Sequence, residues 1–79
     1  MDEGIVPMNT LQEGEFAWVE QMLPGNALHI RLQDLGLIEG TKVECIRRSP
    51  AGDPVAFRIR GAVIALRECD SERILVRPL

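Results

Sequence analysis

Aromatic residues are nearly absent from this chain: two Phe, one Trp and no Tyr in 79 residues. Surfaces that stack nucleic-acid bases and grooves that grip proline-rich peptides are both lined with several aromatics. Neither function is expected. Cysteine is scarce too, and Cys45 and Cys69 are too few for a disulfide scaffold; they point to a reducing, cytoplasmic setting. With His29 the single histidine, no His-x-x-x-His pair exists, and no Cys-x-x-Cys or Glu-x-x-His spacing occurs either. No stretch approaches the roughly 20 apolar residues of a membrane helix, so no direct membrane insertion is expected. Met1-Asp2-Glu3-Gly4 is acidic and no apolar block follows it, which argues against a secretory signal. A Gly-rich phosphate loop is missing, as is any Ser/His/Asp or Cys/His arrangement. A small filled barrel leaves little room for a preorganised pocket, so the chain is expected not to be an enzyme.

What is present is the composition of one globular domain spanning residues 1–79, with 46% hydrophobic and 27% charged residues. The charge is divided. Residues 1–41 carry one basic residue, Arg31, and seven acidic ones, a sum of −6; residues 42–79 carry eight basic and five acidic, a sum of +3; together they give the net −3. A two-signed surface suits a protein partner better than a nucleic-acid backbone, which calls for a strongly basic domain.

The pattern along the chain predicts short strands around one short helix. Ile5 to Met8 reads as an edge strand, because Pro7 cannot donate to a ladder. In Glu15 to Leu23, Ala17 and Val19 fall on one face and Phe16 and Trp18 on the other. Pro24-Gly25 breaks that strand, and Asn26 is a good N-cap for a helix from Ala27 to about Leu35. Leu28, Leu32 and Leu35 form its apolar stripe. Gly36 is placed as the left-handed residue after the helix, with Leu37 turning back onto Leu32. Glu39-Gly40 suits a turn. Lys42 to Arg48 is a strand with Val43 and Cys45 inward, and Ser49 to Pro54 is a loop of turn formers.

Val55 to Arg60 alternates, and Gly61-Ala62 fits a type II′ hairpin turn. That turn sets Ile59 opposite Ile64 and Phe57 opposite Leu66, with the large apolar residues on one face. Glu68 to Glu72 is a single turn, and Arg73 to Arg77 closes the sheet. Five to six short strands with one short α-helix make a mainly β, small SH3-like barrel, with an OB-type barrel as the alternative.

The segment Arg31-Leu-Gln-Asp-Leu-Gly-Leu-Ile-Glu-Gly-Thr-Lys-Val resembles the helix-and-turn signature of the ferrous iron transport protein A (FeoA) family. Pro50-Ala-Gly-Asp-Pro54 is similar to that family's loop between central strands. Arg60-Gly-Ala-Val-Ile-Ala-Leu-Arg67 and Ile74-Leu-Val76 resemble its C-terminal signature, and Leu11 and Gly14 match its opening turn. The likeness runs from about residue 6 to 77. Glu39 replaces a common Pro and Ser71 a common Ala, neither of which disturbs the scaffold. The resemblance implies an SH3-like, cytoplasmic accessory of bacterial ferrous iron uptake. It implies as partner the membrane iron transporter, which carries a cytoplasmic GTP-binding domain. A related module ends iron-dependent repressors, but this chain has no room for their helix-turn-helix part.

Three sets of residues bear on function. Cys69, in a polar turn, and His29, on the helix away from the Leu stripe, are the weak candidates for metal. Fe2+ or another transition metal, weakly bound, is the cofactor they would hold. A metal-sensing module is therefore the alternative function. Cys45 reads as a small buried hydrophobe. Arg47, Arg48, Arg58 and Arg60 include any arginine finger toward a partner GTPase. The docking residues are Trp18, Ile30, Arg31, Leu37 and Ile38: an outward Trp is a typical anchor, and the others extend around the helix. Edge strands allow pairing, so a monomer or weak dimer is expected.

Overall fold

Alternating apolar residues dictate the strands, and the chain is a curved antiparallel sheet wrapped around one core. The computed structural model describes residues 4–23 and 27–79, with the side chains of residues 27–30 outside the description. Along the chain come β1 (Val6–Pro7), a 3-10 turn (Met8–Thr10), β2 (Phe16–Met22) and α1 (Ala27–Asp34). They are followed by β3 (Lys42–Arg48), β4 (Val55–Ile59), β5 (Ala62–Leu66), α2 (Glu68–Ser71) and β6 (Ile74–Pro78). The sheet order is β1-β6-β2-β3-β4-β5. Its two ends, β1 and β5, do not pair with each other, so the barrel is open rather than closed. Register shifts between Val19 and Gln21 and between Cys45 and Arg47 mark bulges, which bend a sheet and raise its twist.

Ala17, Val19, Val43, Cys45, Val55, Phe57, Ile59, Ile74 and Val76 point inward and are buried, and Met8, Leu11, Leu32, Leu37 and Leu66 complete the core. α1 stops as its sequence requires. The Gly36 amide donates to the Gln33 carbonyl and the Leu37 amide to the Leu32 carbonyl, each at 2.9 Å. Gly36 sits at φ +99°, and these two bonds define the Schellman end of a helix. Thr41 then locks the next turn: its hydroxyl accepts from the Ile38 amide and donates to the Gly36 carbonyl.

Three expectations change. Leu35 is 49% exposed, because it caps the helix and the Schellman turn sends Leu37, two residues on, into the core in its place. Leu37, expected on the docking surface, is fully buried. The β4–β5 turn is Arg60-Gly61, not Gly61-Ala62: Ile59 pairs with Ala62, Phe57 with Ile64 and Val55 with Leu66. Both turn residues have positive φ, +51° at Arg60 and +86° at Gly61, so the turn is of the I′ kind. Moving the turn by one residue moves every pairing by two, which keeps each side chain on its expected face. The Asn26 cap lies outside the described residues.

Candidate docking surface

The outer face of the sheet follows from the same alternation. Cross-strand register sets Phe16 opposite Glu44, Glu44 opposite Arg58 and Arg58 opposite Val63. In the next row Trp18 lies between Lys42 on β3 and Arg77 on β6. Phe16 and Trp18 are 40% and 41% exposed, side by side on one strand. The Lys42 ammonium stands 4.9 Å from the Phe16 ring centre and 5.8 Å from that of Trp18. Both distances suit cation–π attraction, so one lysine braces both rings in place. Arg77 donates from Nε to Glu20 Oε1 at 2.8 Å, and Arg58 lies 3.9 Å from Glu44. The face is an aromatic pair framed by charges of both signs. A shallow depression runs from Phe16 past Lys42 and Arg58 to Arg60.

The other expected docking residues are dispersed. Arg31 is exposed and lines a separate groove with Leu35, Ile64 and Arg67. Ile38 is 53% exposed and borders a depression with Gln21, Met22 and Gln33. The Ile30 and His29 side chains lie outside the described residues. Phe16, Lys42 and Arg58 are additions to the expected set; the alternation had placed Phe16 beside Trp18.

The arginines divide by their partners. Arg48 is structural: its guanidinium donates to the Asn9 and Leu11 carbonyls, each at 2.6 Å, and its amide donates to Glu13 Oε2 at 2.8 Å. It ties the opening segment to β3 and is not free to act as a finger. Arg60 lies across Gly36, whose absent Cβ would sit 3.3 Å from the Arg60 Cγ and Nε.

Cys69 is exposed on α2. Glu68, Asp70 and Glu72 belong to α2 and its C-cap, and among the described residues no three His, Cys, Asp or Glu side chains converge as a cation site would require. Cys45 is fully buried. Burial pushes its thiol up from the ordinary value of 9.0; the Arg48 charge pulls the other way, and the Glu13, Glu15 and Glu44 carboxylates add to the rise. A thiol held protonated is a poor metal ligand and nucleophile. Among the described residues no helix is long and apolar enough to cross a membrane.

An open six-stranded barrel of this order, with one helix between its second and third strands, is an SH3-like domain. Solved structures agree. The FeoA protein of Chlorobium tepidum superposes with a TM-score of 0.87 at 32% identity, over 94% of this chain and 70% of that one. A FeoA-like protein of Clostridium acetobutylicum gives 0.85 at 28%, over 96% and 88%. The FeoA of Stenotrophomonas maltophilia, solved with zinc and described as a prokaryotic SH3 domain protein, gives 0.78 at 26%, over 87% and 86%. No curated protein matches by sequence. Residues 6–78 match the FeoA domain, and the chain belongs to that family.

Proposed function

We propose that this chain is a non-enzymatic accessory of ferrous iron uptake that docks on the cytoplasmic side of the membrane iron transporter and biases its conformational states. Family membership supports the link to ferrous iron transport. The observation that carries the docking mode is the exposed Phe16–Trp18 pair under Lys42. Large rigid side chains held in place before binding lose little entropy on docking, and a cation that braces them also offers a rim contact. The face suits protein rather than nucleic acid, because Glu20 and Glu44 offset Arg77 and Arg58 and a phosphate backbone would meet both carboxylates. Ile38 and Arg31 extend the contact around the helix. Docking can shift the transporter only through different affinity for two of its states.

The test is binding to the transporter's cytoplasmic GTP-binding domain by calorimetry, comparing this chain with Phe16→Ala and Trp18→Ala variants. Loss of about 2 kcal/mol for Trp18→Ala, roughly thirtyfold in affinity, is expected of an anchor. Unchanged affinity in both folded variants would remove this face from the contact. Direct metal sensing is the alternative: it predicts stoichiometric ferrous iron binding by the chain alone, lost in Cys69→Ser or His29→Ala.

A further inference from the structure

The two ends of the sheet are protected very differently. At one end β1 is two residues long and contains Pro7, and a short strand with a proline blunts an edge. At the other end β5 runs Ala62-Val63-Ile64-Ala65-Leu66, with no charge, no proline and no bulge in its pairing with β4. Among the described residues no strand pairs with its outer side. In a two-residue hairpin the pair that closes the turn, here Ile59 and Ala62, exchanges hydrogen bonds, and bonding then alternates. Ala62, Ile64 and Leu66 therefore direct their main-chain groups toward β4, and Val63 and Ala65 direct theirs to the open edge. Beside this edge lies a groove of 390 Å³, lined by apolar Leu35, Ile64 and Leu66 and by the charged Arg31, Arg67 and Asp70.

We propose that β5 pairs with β5 of a second copy of this chain, antiparallel and centred on Ile64. The inference is independent of the docking role of Trp18, which lies three strands away. Val63 of each copy exchanges both main-chain bonds with Ala65 of the other. The strand's midpoint is Ile64, so this register overlaps all of Ala62–Leu66 with itself. It sets Ile64 against Ile64 on the groove side and extends each groove across the two-fold axis, where the half-exposed Leu35 of each copy gains an apolar neighbour. The antiparallel sense brings Arg60 toward Glu68 of the second copy, whereas a parallel pairing would bring like ends together. A strand pair and one groove bury well under the roughly 1,600 Å² of a standard interface, so the dimer is weak and forms at high concentration.

The test is sedimentation equilibrium on the full chain from about 10 µM to 1 mM, a range that brackets weak association. The expected result is a mass rising toward twice the monomer, with amide exchange at Val63 and Ala65 slowing as concentration rises. Ala65→Pro removes an amide that β4 does not use, and Ala65→Lys adds an edge charge; each weakens association at least tenfold while leaving the thermal melt near that of the parent. The second variant serves if the first does not fold. A monomer throughout the range overturns the proposal. So does association that neither variant weakens, which would mean another surface. A monomer whose Val63 and Ala65 amides slow only when the transporter domain is added also overturns it, and gives the edge to a foreign strand.

Discussion

Replacing Arg48 by Met keeps the apolar stem and removes the guanidinium that holds the opening segment to β3. Two charge-assisted bonds at 2.6 Å, to the Asn9 and Leu11 carbonyls, disappear. Hydrogen bonds to a charged group contribute about 1.5–3 kcal/mol each. The two here share one nitrogen, and water can reach the half-buried Asn9 once the guanidinium has gone, so the sum falls to about 2–4 kcal/mol. A domain of this size has roughly 4–12 kcal/mol in total, so the loss is a large share. It is also transmitted to the core, because the segment being held buries Met8 and Leu11 completely. Urea unfolding of Arg48→Met should show a midpoint well below that of the parent with the same slope. The Leu11 amide, bonded to the Met8 carbonyl, should exchange at the rate of global unfolding in the parent and faster than it in the variant. A stability loss below about 0.5 kcal/mol, the size of an ordinary surface change, would refute the assignment of Arg48 as the clamp.

Three further outcomes follow from the same geometry. Cys45 is protonated in the folded chain and ionises freely in the unfolded one, so stability should hold below pH 9.0 and fall as pH rises above it; Cys45→Val should flatten that fall in pH-dependent melts. Gly36→Ala places a Cβ at φ +99° and against Arg60, and should cost about 1–2 kcal/mol in denaturant unfolding. Arg60→Asn suits the positive φ of the I′ turn better than arginine does, and should raise stability by about 0.5–1 kcal/mol in the same assay.

Local chemistry made most of the architecture legible. The stop signal Leu35-Gly36-Leu37 specified a Schellman end, and the structure has both of its hydrogen bonds. Pro7 marks β1 as an edge strand, and the apolar pattern marks the other five, with the inward faces of β2, β3 and β4. Alternation could not locate the β4–β5 turn, because a period of two assigns a face and is blind to a register shift of two. Arg60 carries no turn signal, so the apolar pattern favoured the Gly61-Ala62 alternative. At the docking surface, alternation put Phe16 and Trp18 together, but their common brace, Lys42, comes from another strand. Leu37 turns back onto Leu32 in the helix cap, a place that demands burial and takes it off the docking surface. The Arg48 clamp spans separations of 37 and 39 residues, and nothing in the local pattern reports contacts of that length.

Trp18 is the only tryptophan in the chain, and it stands in the proposed contact. Its fluorescence therefore reports docking directly. Titrating this chain with a tryptophan-free transporter GTP-binding domain, under reducing anaerobic conditions with and without ferrous iron, is the most direct test. The account predicts a saturable blue shift, loss of iodide quenching, and the same curve in both conditions. Saturable binding in an independent assay with Trp18 emission and quenching unchanged would contradict it.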